Sequence, residues 1–241
     1  MIFKTTKAML QNVPLYISIG FILTTFIAVY LFYRAAHQSN YTLTLLIMWL
    51  AVQTIASLSG FYAHIEKSPP RFMLATLPAL AFIIGLFVSK AGRKYIDQLN
   101  LKTLTYLHTI RIPVELILLG LYYYGQVPRL MTFEGRNFDI LAGISAPIIA
   151  YFCFRKHPFP RPLLLGWNII SFLLLLNIVI NAVLSAPFPF QKWGFEQPNV
   201  AILYFPFIWL PCCVVPLVLL SHLVAFRRLA NKRKNHQHAG I

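Results

Sequence analysis

Seven long apolar runs constrain this chain more than any other feature of its sequence. Each has about 18 residues or more and is nearly free of charge, which is what an α-helix needs to cross the hydrocarbon core of a bilayer. The runs lie at about 13–33, 41–63, 72–89, 103–125, 137–154, 162–186 and 200–226. Only 11% of the 241 residues are charged, far below the fraction usual in soluble proteins. The pattern predicts an all-α polytopic membrane protein with seven transmembrane helices.

The connections between the runs are too short to fold as soluble domains. They hold between about 7 and 15 residues each, and a basic tail at 229–241 follows the last run. The first run follows two lysines, as in a signal peptide, but its apolar stretch from Pro14 to Tyr33 exceeds the usual signal core of about 7–15 residues. We therefore expect one transmembrane domain over 1–241, with its chemistry inside the bundle or at its rims.

The basic residues are distributed unequally between the two sides of the predicted bundle. With seven spans, seven lysines and arginines lie on the amino-terminal side and thirteen on the other side. The positive-inside rule then places the amino terminus outside and the carboxyl terminus in the cytoplasm, in a cytoplasmic (inner) membrane. The basic tail resembles a nucleic-acid patch, but a stop-transfer cluster that meets anionic lipid headgroups explains it better. We expect the lipid bilayer, and no nucleic acid, as its partner.

Short sequence echoes relate the first three runs to the last three. "YLFYR" (Tyr30–Arg34) ends the first run and "YFCFR" (Tyr151–Arg155) ends the fifth. "LIMW" lies in the second and "LLGW" in the sixth, and "FMLATLP" opens the third while "FPFIWLP" lies in the seventh. The order fits a parallel three-helix repeat with the fourth run as a linker, although membrane spans draw on few residue types and produce such echoes without duplication.

The three-one-three layout, with the amino terminus outside, resembles that of the SWEET and PQ-loop transporters. This resemblance is one of topology and implies solute passage between the two triplets. The chain has no Pro-Gln dipeptide, and its second and sixth runs lack an internal proline, so no site residue is carried over. The stretch "RIPVELILLGLYYYGQVPRLMTFEGRNFDIL", followed by "GWN", also resembles uncharacterised multi-pass bacterial proteins. A retinal-binding protein is excluded, because residues 200–226 contain no lysine.

Charged residues near the middle of the fourth run are the strongest functional signal. Arg111 and Glu115 lie within roughly 5 Å of the bilayer midplane, where a lone charge costs about 2.5–3.5 kcal/mol. At a spacing of four residues they share one helical face with His108 and can form an ion pair. Pro113 between them removes a backbone hydrogen bond, frees the carbonyl of Thr109 and predicts a helix kink.

The sixth and seventh runs add polar groups at a similar depth. Trp167 and Asn168, beside Ser171, place an aromatic plate next to an amide, which suits a small polar solute. His222 lies roughly level with Asn168 and His108. Two histidines and a glutamate would suit zinc, but no pair has H-E-x-x-H spacing and Arg111 would repel a cation. We expect neither a metal nor another cofactor.

These groups favour a small-solute carrier with a polar site near the midplane. Arg111 would hold a polar or anionic solute, Glu115 would balance that charge and exchange a proton, and His108 and Asn168 would line the inner approach. The predicted substrate-binding residues are His108, Arg111, Glu115, Trp167, Asn168 and His222. Equally, the Arg111–Glu115 pair could serve only to anchor the fourth helix. The alternatives are a seven-helix sensor or assembly partner that binds a second copy or another membrane protein, and then an intramembrane enzyme.

Overall fold

Helices dominate the part of the protein that the structure describes. The computed structural model describes residues 10, 12–65, 70–155 and 160–237, and within these ranges there is no β-strand. The α-helices are α1 (Leu15–Ala35), α2 (Asn40–Leu58), α3 (Met73–Val88), α4 (Lys90–Gln98), α5 (Leu101–Leu107), α6 (Arg111–Tyr123), α7 (Asp139–Arg155), α8 (Arg161–Leu184) and α9 (Val215–Gln237). Four residues counted in the charge bias (Lys4, Lys7, Lys67, Lys156) and the tail residues 238–241 lie outside the described residues.

Five of the helical stretches are long and apolar enough to cross a membrane. They are α1, α2, α8, the run Leu101–Tyr123 that contains α5 and α6, and Leu210–Ala230. Their outward faces are apolar, with Ile55 69% exposed and Ile170 64% exposed. Such a surface is stable in hydrocarbon and unfavourable in water. The prediction of an all-helical protein with membrane-length helices is therefore confirmed.

Two of the seven predicted runs form shorter helices. α3 has 16 residues and α7 has 17, below the roughly 20 that span a bilayer without local thinning. The last run also differs from its predicted bounds of 200–226, since its membrane-length helix begins at Leu210 after a 3-10 turn over Ala201–Leu203. Pro206 lies between the two and cannot donate a backbone hydrogen bond, whereas Pro211 lies in the first turn of the helix, where proline is tolerated. Seven spans therefore stay a prediction.

The connection after α3 is itself helical, which the sequence analysis missed. α4 bends by 94° away from α3. Ser89 accepts a hydrogen bond from the Gly92 backbone and so caps the amino end of α4. At its other end, Arg227 of α9 donates to both carboxylate oxygens of Asp97, at 2.8 and 2.9 Å. This contact holds the pKa of the Asp97 carboxyl below its ordinary value. We call this end of the bundle the α4 end.

The amino-terminal part of the last apolar helix anchors α2 through two indole groups. Pro216 cannot donate to the carbonyl of Cys212, four residues earlier, and the chain there forms a π-helical turn over Leu210–Val214. Trp49 of α2 donates to that carbonyl at 2.9 Å. Conversely, Trp209 donates to α2, at 3.1 Å from the Thr54 hydroxyl. Irregular backbone is thus satisfied by side chains from a neighbouring helix, as a low-dielectric environment requires.

We expect Trp49→Phe to lower the free energy of unfolding by about 1–3 kcal/mol, because the Cys212 carbonyl loses its indole donor. Denaturant titration of the purified protein in mixed micelles measures this change. A loss below about 0.5 kcal/mol would show that this hydrogen bond does not hold α2 in place.

Candidate functional site

Pro113 determines how the fourth apolar run presents its polar residues. Its ring excludes the carbonyl of Thr109 from the α-helical ladder, and a 3-10 turn over His108–Ile110 joins α5 to α6. The interruption lies where the sequence predicts a kink. His108 is on this turn and Arg111 directly follows it, so both side chains leave the helix where its hydrogen bonding changes.

The Arg111 guanidinium lies at the centre of the cluster and is 3% exposed. Its Nη1 donates to the carbonyl of Ser171 on α8 at 3.1 Å and lies 3.3 Å from the Asp139 carboxylate on α7. Its Nη2 lies 3.1 Å from Nε2 of His222 on α9. One buried cation therefore joins α6 to three other helices.

The sequence predicts an ion pair between Arg111 and Glu115, and this prediction is wrong about the partner of Arg111. Among the described residues, the ion pair of Arg111 is with Asp139, whereas Glu115 Oε1 accepts a hydrogen bond from the Asn137 amide. The Asn137 side-chain oxygen Oδ1 accepts a hydrogen bond from the Asp139 backbone N–H at 3.1 Å. This Asx turn opens α7 and directs both side chains at α6. The Asp139 carboxylate on α7, and not the Glu115 carboxylate four residues away on α6, is therefore the partner of Arg111.

A glycine permits α7 to approach α6 at this point. A Cβ atom on Gly143 would lie 2.9 Å from Ile112 Cγ1, 3.0 Å from the Ile112 backbone nitrogen and 3.2 Å from Arg111 Cβ. Real Cβ atoms almost never lie this close to other heavy atoms. Gly143 lies one helical turn beyond Asp139, so the same close contact that excludes a side chain brings the Asp139 carboxylate to Arg111.

Hydrogen bonding determines the protonation of His222. A guanidinium nitrogen can only donate, so the His222 Nε2 that faces Arg111 must accept and carries no proton. The proton is then on Nδ1, which donates to Asn168 Oδ1 at 3.0 Å. Asn168 in turn donates from Nδ2 to the Leu164 carbonyl at 2.8 Å. His222 is therefore a neutral imidazole with a defined tautomer, and it extends the cluster from Arg111 to Asn168.

Aromatic rings enclose the histidine side of the cluster. The rings of His108 and His222 are 4.2 Å apart between centroids, and Trp167 meets His108 edge-on at 5.3 Å. The Trp167 indole donates to the hydroxyl of Ser145 on α7 at 2.8 Å. All six predicted substrate-binding residues thus belong to one connected buried cluster.

A cavity of about 260 Å³ opens beside Arg111. Its walls come from α3, α6, α8 and the beginning of α9, with Asp139 from α7, and they are apolar except at Thr76, Arg111, Glu115 and Asp139. Arg111 Nε and Glu115 Oε2 are buried and have no hydrogen-bond partner within the protein. The cavity is therefore an apolar chamber with one charged wall, and that wall carries donor and acceptor atoms that have no partner within the protein.

The sequence analysis missed Asn137 and Asp139. Asp139 lies near the start of the fifth predicted run, and the structure buries it at 5% exposure against Arg111. The available signal was "NFD" at the start of the fifth run, where an asparagine two residues before an aspartate predicts an Asx turn. No group of three histidine, cysteine, aspartate or glutamate residues in the described ranges is arranged to hold a metal ion.

Comparison with known proteins identifies one family. The family model described as Domain of unknown function (DUF8737) matches residues 69–230, which include every residue of the cluster. No curated protein and no solved structure matches the chain.

We expect Gly143→Ala to destabilise the protein by about 1–3 kcal/mol, because the added methyl group separates α7 from α6. Thermal unfolding in detergent measures this effect. Gly166→Ala on α8 is the matched control, since a Cβ there meets nothing within 4 Å and alanine favours a helix. Equal melting temperatures for the two variants would contradict the close contact.

Double-mutant cycles distinguish the two candidate partners of Arg111. Asp139→Leu should cost about 3–5 kcal/mol, because it leaves a buried guanidinium uncompensated, and Arg111→Leu/Asp139→Leu should recover much of that loss. The coupling energy from unfolding titrations should be larger for Arg111 with Asp139 than for Arg111 with Glu115. The reverse order would support the pair predicted from sequence.

Proposed function

The chain belongs to the family defined by Domain of unknown function (DUF8737), and we propose that it is a membrane carrier for a small polar solute. The cavity beside Arg111 carries this proposal. Buried ionisable groups in membrane helices are costly and often mark the path of a solute or proton. Here such groups line a cavity of about 260 Å³.

The composition of the walls indicates the form of the solute. Most of the lining is apolar, with residues such as Val114, Leu118 and Val179. An apolar body would therefore fill the chamber, and its polar group would lie at the charged wall. A group that accepts from Arg111 Nε and, while Glu115 is ionised, donates to Glu115 Oε2 would satisfy both unused atoms. Protonated carboxylic acids, amides and alcohols with an apolar body have this chemistry.

The presence of two carboxylates beside one guanidinium supports coupling of solute transport to proton exchange. Arg111 and Asp139 offset each other, which leaves Glu115 as the second carboxylate at the cavity wall. A proton on Glu115 makes the three groups neutral together, whereas an ionised Glu115 leaves one negative charge in a low-dielectric space. Glu115 is therefore the residue that we assign to proton exchange, while Arg111 orients the polar group of the solute.

The topology in this proposal is the seven-span arrangement, with the amino terminus outside and the carboxyl terminus in the cytoplasm of a cytoplasmic membrane. Local thinning of the bilayer would accommodate α3 and α7 at a small free-energy cost. In a three-one-three repeat, α1–α3 and α7–α9 are the two triplets and the α5–α6 run is the linker. The position of the cavity supports this division, because α3 lines one wall and α8 and α9 line another.

A thermal-shift screen followed by flux measurement tests the carrier function. We expect a solute at 100 times its dissociation constant to stabilise the wild type by about 2.7 kcal/mol. Glu115→Gln should lose this effect, whereas the matched control Glu134→Gln, an exposed carboxylate outside the cavity, should keep it. In proteoliposomes, Arg111→Leu/Glu115→Leu should not transport the same solute. Equal transport by that variant and the wild type would refute the proposed site.

A further inference from the structure

A second cavity, of about 400 Å³, lies between α2 and α3. Leu45 and Leu46 line it from α2, Phe82 lines it from α3, and Cys213 and Leu217 form its floor on the last helix. Leu45 and Phe82 are both about half exposed, so the cavity is a groove on the outer surface of the bundle. Because both of its walls are apolar helices, the groove opens towards the hydrocarbon of the bilayer.

The floor of the groove is apolar because its backbone is already satisfied. The carbonyl of Cys212, which cannot accept from Pro216, accepts a hydrogen bond from the Trp49 indole N–H. Cys212 and Cys213 are buried. A polar ligand finds few hydrogen-bond partners along such a floor, whereas a hydrocarbon chain needs none.

The polar end of the groove lies at the α4 end of the bundle. Tyr41 and Thr42 from α2 and Tyr95 from α4 line it there. The hydroxyls of Thr42 and Tyr95 are 3.0 Å apart and form a hydrogen bond between the two helices. Aromatic hydroxyl groups of this kind are enriched where the hydrocarbon core meets the headgroups.

Basic side chains lie next to this polar end. Lys90 and Lys94 are exposed and four residues apart, so they share one face of α4. Lys94 immediately precedes Tyr95, about 100° away around the helix, and a lysine stem is long enough to extend along the surface. Asp97, the acidic residue of α4, is engaged by Arg227. Lys90 and Lys94 therefore place positive charge on the same short helix as Tyr95, which lines the polar end of the groove.

We propose that this groove binds an anionic phospholipid, with one acyl chain along the floor and the headgroup phosphate at Lys90 and Lys94. The apolar groove fits the chain, and the positive charge at its polar end complements the phosphate. A transmembrane helix is about 10 Å across and 30 Å long, far larger than a space of about 400 Å³. An acyl chain is thin enough to lie in this space between α2 and α3, whereas a transmembrane helix is too large for it.

Native mass spectrometry of the full chain in detergent tests this site. The probes are phosphatidylglycerol and phosphatidylcholine with identical oleoyl chains. We expect phosphatidylglycerol to bind more tightly, and Lys90→Gln/Lys94→Gln to weaken its binding by about 30-fold, since each lysine near an anionic headgroup contributes a factor of about five. Arg129→Gln/Lys192→Gln removes the same charge from exposed positions outside α4 and is the matched control.

Filling the groove tests the position of the acyl chain. Ala79→Phe on α3 and Leu45→Trp on α2 each replace an aliphatic side chain with a larger aromatic ring that occupies the groove. Either variant is sufficient if the other does not fold. Both should lose the bound phosphatidylglycerol and keep the helical circular dichroism of the wild type. Equal binding of the two lipids, an equal loss in the control variant, or unchanged binding in the filled variants would overturn the proposal. A change in dimer population alone would instead assign the groove to a second copy of the chain.

Discussion

The burial of one guanidinium organises the centre of this protein. Arg111 lies in an apolar helix where exposure to lipid would cost several kcal/mol, so protein groups must surround it. Asp139, the carbonyl of Ser171 and the imidazole of His222 do so, and each comes from a different helix. The positions of α7, α8 and α9 around α6 are thereby tied to one side chain, and the cavity lies beside it.

Prolines determine where the helices can depart from regular geometry. Pro113 lies in the first turn of α6, just after the 3-10 turn that carries His108, and Pro216 follows the π-helical turn whose Cys212 carbonyl accepts from the Trp49 indole N–H. Pro216 also lines both cavities. The beginning of the last helix thus separates the apolar groove on the surface from the chamber with the charged wall. At the π-helical turn the Cys212 carbonyl has a side-chain donor from a neighbouring helix, because free backbone groups are costly in hydrocarbon.

The two cavities differ in the chemistry of their polar parts. The chamber beside Arg111 has both carboxylates and a guanidinium within its wall, so a solute there meets charges that partly offset each other. The groove between α2 and α3 has hydroxyl groups at one end and lysines on the adjacent surface. The first arrangement suits a small solute that both donates and accepts hydrogen bonds. The second suits an amphipathic molecule that remains part of the bilayer.

The sequence alone determined the class of this protein and much of its candidate site. Apolar length predicts membrane helices, because hydropathy acts locally along the chain, and the cost of buried charge identified Arg111, Glu115 and His222. Tertiary structure decided which groups pair. Asp139 pairs with Arg111 because Gly143 lets α7 approach α6, and Asn137 donates a hydrogen bond to Glu115. Such contacts depend on the relative placement of separate helices, and periodicity within one helix carries no information about that placement.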